Sequence, residues 1–327
     1  MKGLKNIVWK AIDRIALKLI SSVNIKCGSD IKTLNDLLRE SSNINGEALH
    51  VLHAFRILLH AGKRLGRDFT GKVLEMGGYE HPGLALLFLL HGTEKYYLNN
   101  ISVVENRMPL ALAQTLYVLT DLGGCVEKEL FDIVEVIEGT QDVRIIPKFI
   151  EVISSLDASR IELPSCMFDF IFSITVLEHV PNTEPFVSKC YDLLRPGGWV
   201  AHEIDLRDHD NFNEPIKFLE YDTETFKKVQ GNNNRFRRSD HVEVFKKCGF
   251  IIDYETFTTP HKTTSSGTTD CFHILSRPVE QVFTSSLDKI DTWVTVEQRS
   301  TLSPHFQNYE LLDLSITGLG IYAHKDI

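Results

Sequence analysis

One stretch limits the fold more than any other: Phe168-Asp169-Phe170-Ile171-Phe172-Ser173-Ile174-Thr175-Val176-Leu177-Glu178-His179-Val180-Pro181. An apolar, aromatic and β-branched run of this kind is the pattern of a buried strand. It closes on a polar Glu178-His179 pair, and a helical segment follows over Thr183–Leu194. Leu193-Leu194-Arg195-Pro196-Gly197-Gly198-Trp199 then makes a Pro-Gly-Gly turn into a second strand, Trp199–Ile204. Strand, polar pair, helix, turn and strand form a single ordered set.

The alternation continues on both sides. Val73–Met76, Lys95–Asn99, Phe149–Ser154 and Phe250–Phe257 read as strands, with helices at Gly83–Leu90 and Ser239–Cys248. A helix near Phe306–Leu314 and a strand at Gly318–His324 end the chain. Strands alternating with helices predict an α/β protein with a mainly parallel, doubly wound sheet. Residues 1–70 read as helical instead. Ile7, Val8, Ile12, Ile15, Ala16 and Leu19 recur at helical spacing, and a second helical stretch spans Gly46–Leu65. The chain therefore divides into an N-terminal helical extension, 1–70, and a main domain, 71–327. The segment Ile101–Arg144, with a helical piece at Leu110–Leu122, is longer than a normal crossover.

Composition removes several classes of function. The 327 residues carry a formal charge of −9, which disfavours the phosphate contacts of a nucleic-acid binder. The six cysteines are scattered, as expected of reduced thiols in a cytosol. No apolar run is long enough to span a bilayer, and no signal-peptide h-region precedes the first helix. That helix is basic, so peripheral membrane contact is conceivable. Packing on its own domain is the favoured reading, in a cytoplasmic protein of unassigned oligomeric state.

Polar features gather at the predicted carboxyl ends of the strands, where doubly wound sheets bind ligands. Val73-Leu74-Glu75-Met76-Gly77-Gly78 ends the first strand, and glycine there lets backbone approach a ligand closely. The pattern is not a GxGxxG fingerprint. Asn99-Asn100 stands at the tip of the second strand, where a side chain can reach a ribose. Ser155-Leu156-Asp157-Ala158 follows the third, where Asp157 either accepts from an adenine amine or caps a turn.

Taken together, residues 71–204 resemble a class I S-adenosylmethionine-dependent methyltransferase, on the strength of FDFIFSITVLEHV, LLRPGGW and the glycine turn. The resemblance implies a Rossmann-like seven-stranded sheet whose last strand runs antiparallel, and S-adenosyl-L-methionine as cofactor. By position it implies that Glu75, Gly77 and Gly78 face the methionine part. Asn100 would contact the ribose, Asp157 and Ala158 the adenine, and Ser173, Ile174, Thr175 and Val176 the methyl donor. The adjacent glycines and Asn100 depart from the family's usual second loop glycine and acid. AHEIDLRDH, IKFLEYD and NNRFRRSDHVEVFKKCGF are similar to a bacterial subgroup often linked to sugar or secondary-metabolite modification.

An acceptor would open above the fourth and fifth strands. His179, His202, Asp205, Asp208 and His209 are the histidines and carboxylates concentrated there. His209 is the first candidate to assist deprotonation, with Asp205 or Asp208 orienting its ring. His202 lies mid-strand, where a structural histidine is the competing reading. Glu178, His179, Asp205, Asp208 and His209 are suitable ligand types, but their spacing matches no strict motif and no metal is expected. Arg235, Arg237 and Arg238 read either as a clamp for an anionic acceptor or as salt-bridge partners. The expected function is methyl transfer to an oxygen of a small molecule or glycan. The alternatives are N-methylation and a catalytically inactive scaffold.

Overall fold

The computed structural model describes residues 24–27, 30–33, 42–78, 81–100, 105–121, 126–154, 158–211, 213–231, 233–259 and 292–327. Seven strands share its main sheet: β1 (Lys72–Met76), β2 (Lys95–Asn100), β3 (Ile150–Ser154), β4 (Phe168–Ile174), β5 (Leu194–Asp205), β6 (Ile251–Thr258) and β7 (Gly318–His324). Their order across the sheet is β6-β7-β5-β4-β1-β2-β3. The five strands from β5 to β3 are parallel, and β7 runs antiparallel to both β5 and β6. This is the doubly wound Rossmann-like sheet that the sequence predicts. Its last strand does not sit at an edge but is inserted between β5 and β6.

The central strands are buried on both faces, which is why β4 shows no polar alternation. One face packs on α1 (Ser42–Leu65), α2 (Gly83–Leu90) and α3 (Leu110–Asp121). Every residue of α2 is buried, as its uniformly apolar sequence GLALLFLL demands. Its Phe88 stacks on Phe172 of the sheet, and the stack continues through Phe170 to Trp199, the Phe170 and Trp199 ring centres 4.1 Å apart. Ala48, Val51, Phe55, Leu58 and Ala61 bring α1 into this same core. The helix that the sequence places in an extension is thus a structural layer of the main domain. The helical pattern at Ile7–Leu19 lies outside the described residues.

The other face packs on α4 (Thr183–Leu193) and α6 (Arg238–Lys247) through Phe186, Val187 and Phe245. Between them in sequence lies α5 (Thr223–Gln230). The predicted terminal helix is two short pieces, a 3-10 turn at Phe306–Asn308 and α8 (Leu311–Ser315), preceded by α7 (Val296–Thr301). Phe218, Leu219, Phe226, Val294, Leu302, Phe306 and Leu314 make a separate apolar cluster that ties this region to the chain leaving β5. Part of the long Ile101–Arg144 segment forms a small antiparallel sheet from Met108–Pro109, Asp142–Ile145 and Val134–Val136. Among the described residues, no helix is long and apolar enough to cross a membrane.

One buried acid gives the fold a pH dependence. Glu203 of β5 is 1% exposed and accepts the Tyr322 hydroxyl of β7, while Arg64 of α1 lies over the neighbouring Tyr254 ring. Burial pushes the Glu203 carboxyl up from 4.5 to about 7. The folded state therefore holds this proton more tightly than the unfolded chain. Stability is lost as pH rises from about 4.5 to about 7, and the loss is complete above that window. Glu203→Gln keeps an acceptor for Tyr322 and removes the ionisation. It is expected to melt higher than wild type at pH 8, by an amount on the order of 3 kcal/mol, and to match it at pH 4.5. Parallel melting curves for the two proteins across this range would refute the assignment.

Candidate active site

The carboxyl ends of β1, β2, β4 and β5 meet along one sheet edge. Gly77 follows β1 with φ +78°, a left-handed conformation suited to glycine. A Cβ there would stand 2.6 Å from the Val176 side chain, and one on Gly78 would stand 2.1 Å from Leu98. Both residues are therefore glycine because the turn closes tightly against β2 and the loop after β4. Their backbone N–H groups donate to the Asn99 carbonyl at 2.8 and 3.0 Å. Asn100 donates its side-chain amide to the Gly78 carbonyl, bracing the turn from the next strand. Glu75 lies buried beneath and accepts the Tyr96 hydroxyl at 2.5 Å. A compact backbone turn over a buried carboxylate fits a ligand with a cationic amine and polar hydroxyls.

The remaining cofactor candidates divide. Thr175 takes φ +52° at the end of β4, and its N–H is fixed to the Glu203 carbonyl at 2.8 Å. Ile174 is nearly buried in the α1-side core. Ser173 is fully buried, its hydroxyl 2.7 Å from His202 Nδ1. Ala158 begins a single 3-10 turn and packs on the α4-side core. Asp157 lies outside the described residues.

On the acceptor side, four polar side chains converge. The 3-10 turn Leu177–His179 follows β4. It buries Glu178, 5% exposed, whose carboxylate has no side-chain hydrogen-bond partner among the described residues and faces the backbone of its own turn and of Asp205. Burial raises the Glu178 pKa well above the ordinary carboxylate range, and Asp205 adds to the rise against the opposing charge of Arg207. His179 is exposed, with Nδ1 2.7 Å from Asn233 Oδ1. The His179 and His209 rings meet edge to face at 4.9 Å. His209 Nε2 lies 3.9 Å from Asp205 Oδ2. Asp205 is gripped by Arg207 at 2.8 Å and 2.5 Å. Burial alone would raise the Asp205 pKa; the guanidinium fork outweighs it and holds the carboxyl below its usual value.

Two candidates from the same sequence stretch point elsewhere. His202 is fully buried between Phe186 and Phe245, and burial pushes its pKa down to about 3. It is a neutral core imidazole, with no path for a proton to an acceptor entering from solvent. Asp208 is 2% exposed and accepts from Gln230 Nε2 at 2.9 Å and from the Asp210 N–H at 3.0 Å. It braces the loop.

The three arginines are also dispersed. Arg237 is fully buried and donates to the carbonyls of Leu206, Leu314 and Ile316. Arg238 pairs with Glu255 at 2.5 Å. Arg235 donates to the Tyr221 carbonyl at 2.6 Å and stacks on Phe226 and Phe306. No shared anion clamp exists.

Sequence reading missed the loop between α5 and α6. Asn234 donates to the carbonyls of Leu177 and Val180 at 2.6 and 2.8 Å, strapping the turn that carries Glu178 and His179. The run of asparagines at 232–234 was the available signal, because side-chain amides commonly satisfy irregular backbone. Phe218, Asn233, Asn234 and Phe236 line the narrow recess into which Glu178, Asp205 and His209 face. A cleft of about 700 Å³ shares Asn233, Asn234 and Phe236 with it and extends to Phe226, Phe306 and Tyr309.

A family model described as a methyltransferase domain matches residues 50–254, from within α1 to β6. The chain belongs to this methyltransferase-domain family. S-adenosylmethionine is the cofactor expected of it, and the glycine turn over Glu75 is of a kind to receive it. Over 106 residues the methyltransferase is 28% identical to the ubiquinone biosynthesis O-methyltransferase of Shewanella pealeana. That match covers 30% of this chain and 45% of the relative, so the chain spans less than half of that enzyme's length. Two similar solved structures are S-adenosylmethionine-dependent methyltransferases. The one from Methanosarcina mazei has a TM-score of 0.42 at 13% identity, covering 78% of this chain and 92% of its own. The one from Mesorhizobium loti has 0.40 at 12%, covering 80% and 95%.

Proposed function

We propose that this methyltransferase moves a methyl group from S-adenosylmethionine to an oxygen of a small molecule or glycan. The observation that carries the reading is the convergence of Glu178, His179, Asp205 and His209 just beyond β4 and β5. A hydroxyl must lose its proton to become a good nucleophile, and imidazole and carboxylate are the groups that assist. An amine needs less such help. The distant likeness to an O-methyltransferase supports the same direction.

When bound, the cofactor supplies an electrophilic methyl group on a sulfonium. This chain's residues supply the rest. Glu75, Gly77, Gly78 and Asn100 hold the cofactor, with Asp157 and Ala158 toward its base and Ser173, Ile174 and Thr175 along its methyl end. Of these, Ser173 acts from behind, through His202, rather than by contact. His209 assists removal of the acceptor proton beside Asp205, which Arg207 keeps anionic. Leu206, Phe218 and Phe236 line the recess with apolar surface that limits water around the reacting oxygen.

The test does not require the acceptor in advance. The protein is incubated with S-adenosylmethionine carrying a carbon-13 methyl group and a soluble metabolite extract, and products are read by NMR. The label is expected in methoxy groups. Label found only in N-methyl groups would overturn the reading.

A further inference from the structure

We infer that Arg235 selects the acceptor, and that the molecule it selects is a hydroxylated aromatic acid, with its carboxylate on Arg235 and its hydroxyl at His209. The inference deepens the O-methyl-transfer reading above and rests on it. The cleft of about 700 Å³ shares Asn233, Asn234 and Phe236 with the recess that His209 lines, so one molecule can span the two. Arg235 lines that cleft, standing in the chain between Asn234 and Phe236.

Arg235 differs from the arginines around it. Arg207 and Arg238 each pair with a carboxylate at 2.5 Å, and Arg237 commits its fork to backbone carbonyls. Arg235 makes no ion pair with a described residue, and Asp222 acts on its charge only from a distance. Its Nη1 donates to the Tyr221 carbonyl at 2.6 Å, and the ring centres of Phe226 and Phe306 lie 4.5 and 5.2 Å from its Cζ. The guanidinium is thus held in place, while Nε and Nη2 have no partner among the described residues. Two parallel N–H donors on one fixed plane match the two oxygens of a carboxylate. Partial burial works against the charge, and an incoming anion offsets that cost. Lys227, at the exposed rim of the same cleft, adds positive potential.

The walls choose the rest of the molecule. Phe226, Phe236, Phe306 and Tyr309 offer aromatic surface, which suits a flat apolar body. Polar side chains among them are already engaged. Asn234 straps the turn after β4 and accepts the Phe236 N–H, and Asn233 bridges Gln230 and His179. Asp240 accepts from the Arg237 N–H and the Tyr309 hydroxyl. A sugar would bring several hydroxyls with few partners to meet them, and burying an unpaired hydroxyl is costly. An aromatic acid brings little beyond its reacting hydroxyl and one charge.

The full chain, saturated with S-adenosylhomocysteine, is titrated by calorimetry with 3,4-dihydroxybenzoate, with 3,4-dihydroxycinnamate and with the methyl ester of each. At least one acid is expected to bind about tenfold or more tightly than its ester, and less tightly as salt rises. Arg235→Gln should weaken that acid by ~10–100-fold and leave the ester within a few-fold. Arg235→Lys should recover only part of the loss, because it keeps the charge without the fork. Equal losses for acid and ester would make Arg235 a structural strap and overturn the assignment. Circular dichroism establishes folding; should Arg235→Gln fail to fold, the wild-type difference between acid and ester and the lysine variant decide. D-glucuronate bound more tightly than both aromatic acids would overturn the flat body. Absence of any preference for an acid over its ester, in protein that binds S-adenosylhomocysteine, would overturn the inference alone. In the labelled extract, methoxy products that all pass an anion exchanger would do the same and leave O-methylation standing. Label only in N-methyl groups would instead sink the reading beneath it.

Discussion

Alanine at position 209 is expected to lower turnover by ~10²–10⁴. The expectation rests on position: His209 leaves β5 four residues after Asp205, faces His179 edge to face, and opens onto the same recess as Glu178. Loss of the imidazole removes the assistance to the acceptor proton. S-adenosylmethionine affinity should hardly move, because the glycine turn and Asn100 lie on the far side of β4. Thermal stability should change little too, since the ring is partly solvated and stands 3.9 Å from the Asp205 carboxylate. Steady-state rates and cofactor titration on the same preparation check both. A loss under tenfold together with a lowered melting point would make His209 a loop anchor. A rate within a few-fold of wild type, in a normally stable variant, would move attention to His179.

The second large effect concerns Arg237, and here the quantity is stability. Its guanidinium is fully buried and ties the Leu206 carbonyl at the end of β5 to those of Leu314 and Ile316 before β7. Hydrogen bonds from a charged donor contribute about 1.5–3 kcal/mol each, and an orphaned buried carbonyl adds its own cost. Arg237→Met fills much of the volume and leaves these acceptors unsatisfied. It should cost on the order of 3–5 kcal/mol in urea unfolding. Arg237→Lys should recover little, since one ammonium on a flexible stem does not reproduce the planar fork. A methionine variant that unfolds at the same urea concentration as wild type would show that the carbonyls find other donors.

How much of this was legible depended on the physics behind each signal. The sheet was readable because central strands, covered on both faces, must be apolar throughout, as in Phe168–Ile174, and because tight exits need glycine, as at Gly77. Histidine roles were harder. His202 and His209 lie seven residues apart, yet one is core and the other opens onto the recess. Side-chain direction alternates along a strand, and His202 shares a face with Val200 and Ile204, whereas His209 lies past the strand end. In a strand buried on both sides, parity names the face but not the exposure. The arginines misled for a related reason. Three in four positions look like one patch, but Arg237 is extended backbone and Arg238 opens α6, so their side chains leave in different directions. The cluster from Phe218 to Leu314 was least visible, because its elements are too short to show a period.

The insertion of β7 between β5 and β6 has a consequence for biosynthesis. The ladder that completes the half of the sheet beyond β5 belongs to residues 318–324, more than a hundred positions after β5 in the chain. During translation, β1 to β5 can pair as they emerge, but β5 then presents an open edge until the last strand arrives. Open edges invite pairing with other chains, and distant partners form slowly. The nascent methyltransferase therefore passes through a vulnerable interval on the ribosome. Because Tyr322 and the carbonyls gripped by Arg237 arrive with the same segment, the acceptor edge is locked only when that interval ends.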